Sequence, residues 1–537
     1  MDTSLCFIHL FFLIYFLFFV AHRPCMSIGA TRNEISNVTV VIQQVCRATR
    51  FQDACLDTLS SSDLINDGSN SSDVIQAAFS ATSKNIDIGL TMVKFIPNLR
   101  GDDNINRTFL RCQQCLTMSK NRTSSAIEAL SKNKLRDSRA WLSGTMTYLH
   151  DCVSQLSRLS ISTSNTTSIN SLKSYINNTL IVSTSNVLSM LWGLDTYGAD
   201  PMTWTQVHTE REGVWERVEK PIHIEPVFDF GDHTPDVTVC KNASIGCFTS
   251  VQSAIDVALK NLAGENRFVI KIKEGVYSES VYVPFDKANL MWIGDGIGKT
   301  VITSSSNTTA YILGDGFFAT DITFENTAGP NASQGTAFET HSDFSYVQNC
   351  EFLSNRASLY AHSNRQFFNS CRIEGNDDLI AGNATVIFHK CTILVRPRQS
   401  NPINETNVIA AHGRLDPAQT TGFVFNECLI NGTNDYMKLY HTNSSLHNNY
   451  LGRPWNAYSR TVYINCTMEA LISPGGWAPL NGDFALSTLY YGEFGNSGVG
   501  ANSTKRVPWS RQIPEQHITT YSIEQFLQGD EWILIEY

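Results

Sequence analysis

Five short segments of this chain, VQNCEF, FNSCRI, FHKCTI, FNECLI and YINCTM, each carry a cysteine at the same place in a short apolar stretch. Cys350, Cys371 and Cys391 recur about every twenty residues, and Cys428 and Cys466 follow at nearly twice that interval. Short strands repeated at this period mark a parallel β-helix, in which each coil stacks its equivalent side chains on those of the next. The cysteines then form an internal ladder of small apolar groups rather than a metal site. Upstream, RFVIKIKEGVY, SVYVPF, NLMWIGDG and FFATDITFENTAG alternate or run apolar between Gly and Asn, as strands bounded by turns do. Neighbouring strands of such a solenoid lie about 5 Å apart. Polar side chains from successive coils therefore line up along an outer groove, which suits a long polymer laid across the coils.

The first half has a different period. Val38, Val41, Ile42 and Val45 recur at helical spacing, as do Val74, Ala77, Ala78 and Ala81. SRAWLSGTMTYLHDCVSQL and SLKSYINNTLIVSTSNVLSML continue the pattern, and helices of this length predict an all-α four-helix bundle. Its acidic residues are scattered singly, so nothing in this half reads as catalytic. Periodicity is then lost over a stretch carrying Pro201, Pro221, Pro226 and Pro235. The expected organisation is a leader over residues 1–25, a bundle over 34–194, a linker over 195–235 and an all-β parallel β-helix over 236–537. Cys112-Gln-Gln-Cys115 has the form of a redox or zinc pair, but no second CxxC or histidine pair accompanies it. A local disulfide framework is expected instead, with Cys46, Cys55, Cys115 and Cys152 as its candidates.

A net charge of −10 argues against nucleic acid or an anionic membrane surface as the main partner. The unbroken apolar run from Leu5 to Ala21 reads as a signal peptide or an uncleaved anchor, and either sends the chain into the secretory pathway. About fifteen N-x-S/T sequons, Asn37, Asn106, Asn242, Asn307, Asn404 and Asn502 among them, agree with export.

Four long motifs carry a family resemblance: LGRPWNAYSRTV, GDGFFATDITFENTAG, SLYAHSNRQFF and GDFALSTLYYGEF resemble plant pectin methylesterases, or pectinesterases. The helical half, with its Cys46-x8-Cys55 spacing and its WLSGTMT…DC segment, resembles the pectinesterase-inhibitor domain that precedes many of them. The resemblance spans nearly the whole chain. It implies a right-handed parallel β-helix in the extracellular space or cell wall, acting on methyl-esterified homogalacturonan (pectin and water giving pectate and methanol) with no metal or cofactor. It also implies a contact, within or between molecules, from inhibitor-like domain to esterase. In the family one aspartate attacks the ester, a second protonates the leaving methanol and activates water, glutamines stabilise the oxyanion, and an arginine orients the nucleophile.

Carried over by motif, Asp378 of GNDDLIAGNA stands at the nucleophile position, and Arg453 of GRPW matches the orienting arginine. Gln334 matches the first oxyanion glutamine, while Tyr360, Trp455 and Trp477 match aromatics that hold sugar rings. The second motif departs from the family's Gln-Asp-Thr-Leu-Tyr: it reads Arg356-Ala357-Ser358-Leu359-Tyr360. Ala357 thus replaces the acid/base aspartate, and Arg356 replaces the second oxyanion glutamine. His412 stands where a later glutamine is usual, and it and His362 read as ordinary hydrogen-bonded histidines. On a strand, adjacent residues face opposite ways, so Asp377 is expected to point away from the groove that Asp378 faces. Three functions follow: a pectinesterase of weak or altered activity, a pectin-binding pseudoenzyme, and an inhibitor of other esterases acting through the helical half. A β-helix lyase or glycosidase is disfavoured, since no calcium-binding carboxylate cluster is seen. No paired basic residues mark a cleavage site between the two halves.

Overall fold

The computed structural model describes residues 37–95, 103–159, 166–218, 230, 233–242, 246–262, 266–329, 335–398 and 405–533. The apolar leader and Gln334 lie outside these residues. Two short helices, α1 (Asn37–Arg47) and α2 (Gln52–Ser60), precede three long ones, α3 (Ser71–Phe95), α4 (Asp103–Ser131) and α5 (Leu135–Ser157). A further helix runs from α6 (Thr166–Tyr175) through a wider turn at Ile176–Ile181 into α7 (Val182–Tyr197), which completes the bundle.

Disulfides Cys46–Cys55 and Cys112–Cys152 staple the bundle, whereas Cys115 is a free thiol. This corrects the expectation for Cys115. Cys112 is fully buried opposite Cys152, and Cys115, one turn further along α4, is only partly buried. A third disulfide, Cys240–Cys247, closes a short loop at the start of the β-helix.

The second half is a solenoid of parallel strands in three sheets of 12, 8 and 7 strands among the described residues. The seven-stranded sheet carries the site. Its strands are β1 (Val281–Val283), β2 (Thr308–Ile312), β3 (Thr336–Thr340), β4 (Leu359–Ala361), β5 (Ile380–Gly382), β6 (Glu405–His412) and β7 (His447–Pro454). Each pairs in parallel with the next.

Inside, the repeat predicted from the sequence is present. Cys350, Cys371, Cys391, Cys428 and Cys466 are free and buried one above another. Beside them runs an aromatic stack, with Phe368–Phe388, Phe388–Phe425 and Phe425–Tyr463 centroids 5.2, 4.9 and 4.4 Å apart. Offset stacks of this kind contribute about 0.5–1.5 kcal/mol each beyond their burial. Each ladder cysteine follows a residue in the left-handed backbone region: Asn349, Ser370, Lys390, Glu427 and Asn465, with φ from 46° to 54°. These residues turn the chain from one sheet into the next. Stacking of the coils therefore tolerates a conformation that Lys and Glu adopt only at a cost.

Helix α5 is buried along its first three turns because it lies between the bundle and the β-helix. A Cβ at Gly144 would meet Asn364 Oδ1 at 2.6 Å, so glycine is what allows the helix to approach this closely. Polar contacts fasten the seam. Trp141 Nε1 donates to Asp343 Oδ2 at 2.7 Å, and Arg122 donates to both Asp315 oxygens at 2.6 Å. Asn383 Nδ2 donates to Thr147 Oγ1 at 2.9 Å, and Ser185 donates to Asp416 at 2.6 Å. The described first part of the linker is packed rather than loose: Trp204 is buried in the bundle, and Trp215 stacks on His517 with centroids 4.3 Å apart. Glu210, between them, pairs with Arg460 of the β-helix at 2.5 Å.

Candidate active site

On the outer face of the seven-stranded sheet, pairing aligns Tyr360, Ala381, Ala411 and Arg453 on successive strands β4 to β7. Asp377 and Asp378 sit in the turn that leads into β5, not within a strand, and Asp378 has φ +50°. Gly375 makes room for that turn: a Cβ there would meet Arg356 O at 2.5 Å and Ser358 Oγ at 2.6 Å.

Asp378 is held by one of its two oxygens. Oδ2 accepts from Arg453 Nη2 at 2.5 Å and from Trp455 Nε1 at 3.2 Å. Oδ1 is buried and has no hydrogen-bond partner. Burial raises the Asp378 pKa, and the hydrogen bond and charge of Arg453 pull against that rise while the neighbouring Asp377 charge adds to it. Burial works against the Arg453 charge too, but the hydrogen bond to Asp378 and its charge outweigh it. A carboxylate clamped through one oxygen by a guanidinium is fixed in its direction.

Asp377 corrects the expectation that it faces away. Its Oδ1 lies 3.2 Å from the same Arg453 Nη2, and its Oδ2 lies 3.9 Å from Arg398 Nη2. The alternation of faces holds within strands, and the left-handed turn at Asp378 breaks it, so both carboxylates converge on one guanidinium.

Ala357 lies one coil back, between two bonds that tie its segment to this turn. Ser358 N donates to Leu379 O at 3.0 Å, and Asn376 N donates to Arg356 O at 3.4 Å. Its half-buried methyl group supplies no proton; Arg356, its neighbour, is exposed. Tyr360 and Trp455 border the site, with ring centroids 6.1 Å apart. Trp477 does not belong with them. It is 1% exposed, stacks on Tyr491 at 4.3 Å and donates to Glu493, all inside the β-helix. There it backs Gly452, next to Arg453, so it supports the site from behind and cannot touch a sugar.

His412 is fully buried and accepts from Arg460 N at 3.0 Å through Nδ1, and burial holds its pKa well below the usual range. His362 is also buried, and its Nε2 lies 2.5 Å from Asp151 of α5. Its ring stacks on His341, centroids 3.5 Å apart, and the Tyr148 hydroxyl lies 3.2 Å from His341 Nδ1. This histidine pair under α5 was not legible in the sequence. Only the register of β3 and β4, Thr340 opposite Ala361, brings the residues that follow those strands together.

An arginine-held aspartate on the outside of a parallel β-helix, bordered by aromatic rings, defines a carbohydrate-active ester hydrolase of the solenoid class. The family model described as "Pectinesterase" matches residues 236–530, and that described as "Plant invertase/pectin methylesterase inhibitor" matches residues 40–190. A protein of Arabidopsis thaliana named "Probable pectinesterase/pectinesterase inhibitor 64" is 43% identical over 512 residues, covering 91% of this chain and 84% of its own length. "Pectinesterase 2" of Citrus sinensis is 40% identical over 312 residues, 56% of this chain and 58% of its own. The solved pectin methylesterase from carrot is 39% identical with a TM-score of 0.53, covering 57% of this chain and 96% of that structure. The chain belongs to the pectinesterase family, carboxylic ester hydrolases on a right-handed parallel β-helix, and it carries an inhibitor-type helical domain in front.

Proposed function

We propose that this exported chain demethylesterifies cell-wall homogalacturonan at the Asp378 site and does so more slowly than its family pattern allows. The observation that carries the reading is the Arg453 and Trp455 clamp on Asp378 Oδ2, which fixes the carboxylate between aromatic rings of the outer face. The Asp378 carboxylate attacks the ester carbonyl, and Arg453 keeps it aimed. Gln334 and Arg356 serve the developing oxyanion, Arg356 by charge rather than by a neutral amide. Tyr360 and Trp455 hold the sugar rings. Alanine at 357 removes the proton donor that the family pattern places there, and a positioned acid/base is worth about 10²–10⁴-fold in rate.

Residues 34–194 act as an inhibitor-type domain joined through 195–235 to the esterase at 236–537. The close packing of Trp204, Glu210 and Trp215 supports a chain that works with its halves still joined. Helix α5 also sets Asp151 against His362, two residues from Tyr360, which supports a helical half that restricts access to the groove.

The test is methanol release from methyl-esterified pectin by the full chain, beside the double variant Ala357→Asp with Arg356→Gln. The double variant is expected to be faster. Equal rates at the level usual for pectinesterases would contradict an impaired site, and an inert chain that still binds pectin would leave the binding-protein reading.

A further inference from the structure

One of the chain's sequons lies inside the seam. Asn383-Ala384-Thr385 has the acceptor pattern for N-glycosylation, and Asn383 directly follows β5, in the turn against α5. Of the sequon asparagines whose side chains are described, Asn383 alone is buried, at 4% exposed. Asn307, Asn443, Asn465 and Asn502 of the same β-helix stand in solvent. The Asn383 amide nitrogen, the atom that a glycan would take, donates to Thr147 Oγ1 of α5 at 2.9 Å. Its Oδ1 accepts from Thr421 Oγ1 at 2.7 Å, so the β-helix holds the oxygen and the helical half holds the nitrogen. No sugar fits between them. One coil back, α5 runs so close that a Cβ at Gly144 would meet Asn364 Oδ1 at 2.6 Å. Chain order favours the helical half, because the bundle and the coils bearing Asp315, Asp343 and Arg365 all precede Asn383. The ties of Arg122 to Asp315, Trp141 to Asp343 and Asp137 to Arg365 therefore use only residues made before it.

We propose that Asn383 is an N-glycosylation site gated by the helical half, its glycan and the docked helix α5 excluding each other. The proposal rests on the chain being exported. Where α5 docks first, Thr147 occupies the amide and Asn383 stays bare. Where the turn meets the glycosylating machinery with the helical half undocked, the amide takes the oligosaccharide of a lipid-linked oligosaccharide diphosphate. The bond from Nδ2 to the first sugar carbon forms, and the bond from that carbon to the diphosphate oxygen breaks. Nδ2 gives up one proton to solvent, and lipid diphosphate leaves. The attached glycan is bulky and hydrated, so it holds α5 away from the turn. Occupancy at this one asparagine then fixes whether the inhibitor-type domain sits on its esterase.

The experiment reads the full chain secreted from cultured plant cells. An amidase removes its glycans in heavy-oxygen water and turns each glycosylated asparagine into a labelled aspartate, so peptide masses give the occupancy of every sequon. The unaltered chain is compared with Gly144→Leu and Thr147→Arg, which hold α5 off the turn at two points and leave every sequon intact. Leucine and arginine both favour helix, so α5 itself is kept. Asn383 is expected to be bare in most unaltered molecules and labelled severalfold more often in both variants. Asn443 and Asn502 are expected to be labelled equally in all three. Adding Thr385→Val to Gly144→Leu is expected to abolish the label at Asn383. A label at Asn383 in most unaltered molecules would overturn the proposal. So would a bare Asn383 in whichever variant is secreted, with Asn443 and Asn502 labelled. If no sequon is labelled in any of the chains, the reading of export falls and takes the proposal with it.

Discussion

The interior of the β-helix and the seam between it and the helical half are both closed to water, yet they are built of opposite materials. The interior is apolar: thiols and aromatic rings repeat from coil to coil, and each coil is held by the two beside it. The seam is ionic and unrepeated. Arg365, 2% exposed, spans Asp343 of the β-helix and Asp137 of α5, while Asp343 also accepts from Trp141. Losing a contact in the ladder costs dispersion and a small cavity. Losing one partner in the seam leaves an uncompensated buried charge. Arg122, Arg365, Asp343 and Asp416, all nearly or fully buried, are the charged groups that the contact between the two halves covers.

The sharpest way to break that contrast is Asp343→Ala, which leaves Arg365 with Asp137 alone and Trp141 Nε1 without its acceptor. It is expected to cost about 3–5 kcal/mol, measured by urea denaturation. A loss below 1 kcal/mol would mean that the seam is wet and loose.

Acid should weaken the tie between the linker and α5 before it touches the ladder. Burial raises the Glu216 pKa, but the charge and hydrogen bonds of Arg139 outweigh it and bring the value from 4.5 to about 2. A depressed carboxylate contributes stability that is fully present above its unfolded value and is lost as the pH falls through its folded value. The Glu216–Arg139 tie is therefore complete above 4.5 and fades as the pH approaches 2. Glu216→Gln should melt lower than the unaltered chain at neutral pH, and the two melting curves should converge near the acid end. Parallel curves would show that Glu216 is not held down.

Within the ladder the effects are smaller. Cys391→Ala removes one buried sulfur from a stack and should cost about 1 kcal/mol. An exposed pair such as Lys438 with Asp435, 77% and 81% exposed, should give less than about 0.5 kcal/mol on Lys438→Ala.

The solenoid was legible in the sequence because stacked coils force equivalent positions to repeat. The corners were not: Lys390 and Glu427 turn left-handed although neither residue favours that region. The reason lies in the coil above and below, which no local pattern records. Asp378, Arg453 and Ala357 could be placed by motif, and the structure sets Arg453 on Asp378. The facing of Asp377 and Trp477 could not be read. A single turn residue reverses the first, and the second depends on whether a coil end folds inward. Choosing Cys112 over Cys115 required knowing which face of α4 meets α5, and both lie on the same helix one turn apart.

The central claim is that Asp378, aimed by Arg453, opens the methyl ester. Methanol release from methyl-esterified pectin by the unaltered chain and by Asp378→Asn, each shown to melt cooperatively, tests it most directly. The account predicts measurable release by the first and a loss of about 10⁴-fold or more in the second. Equal release by the two proteins would contradict it.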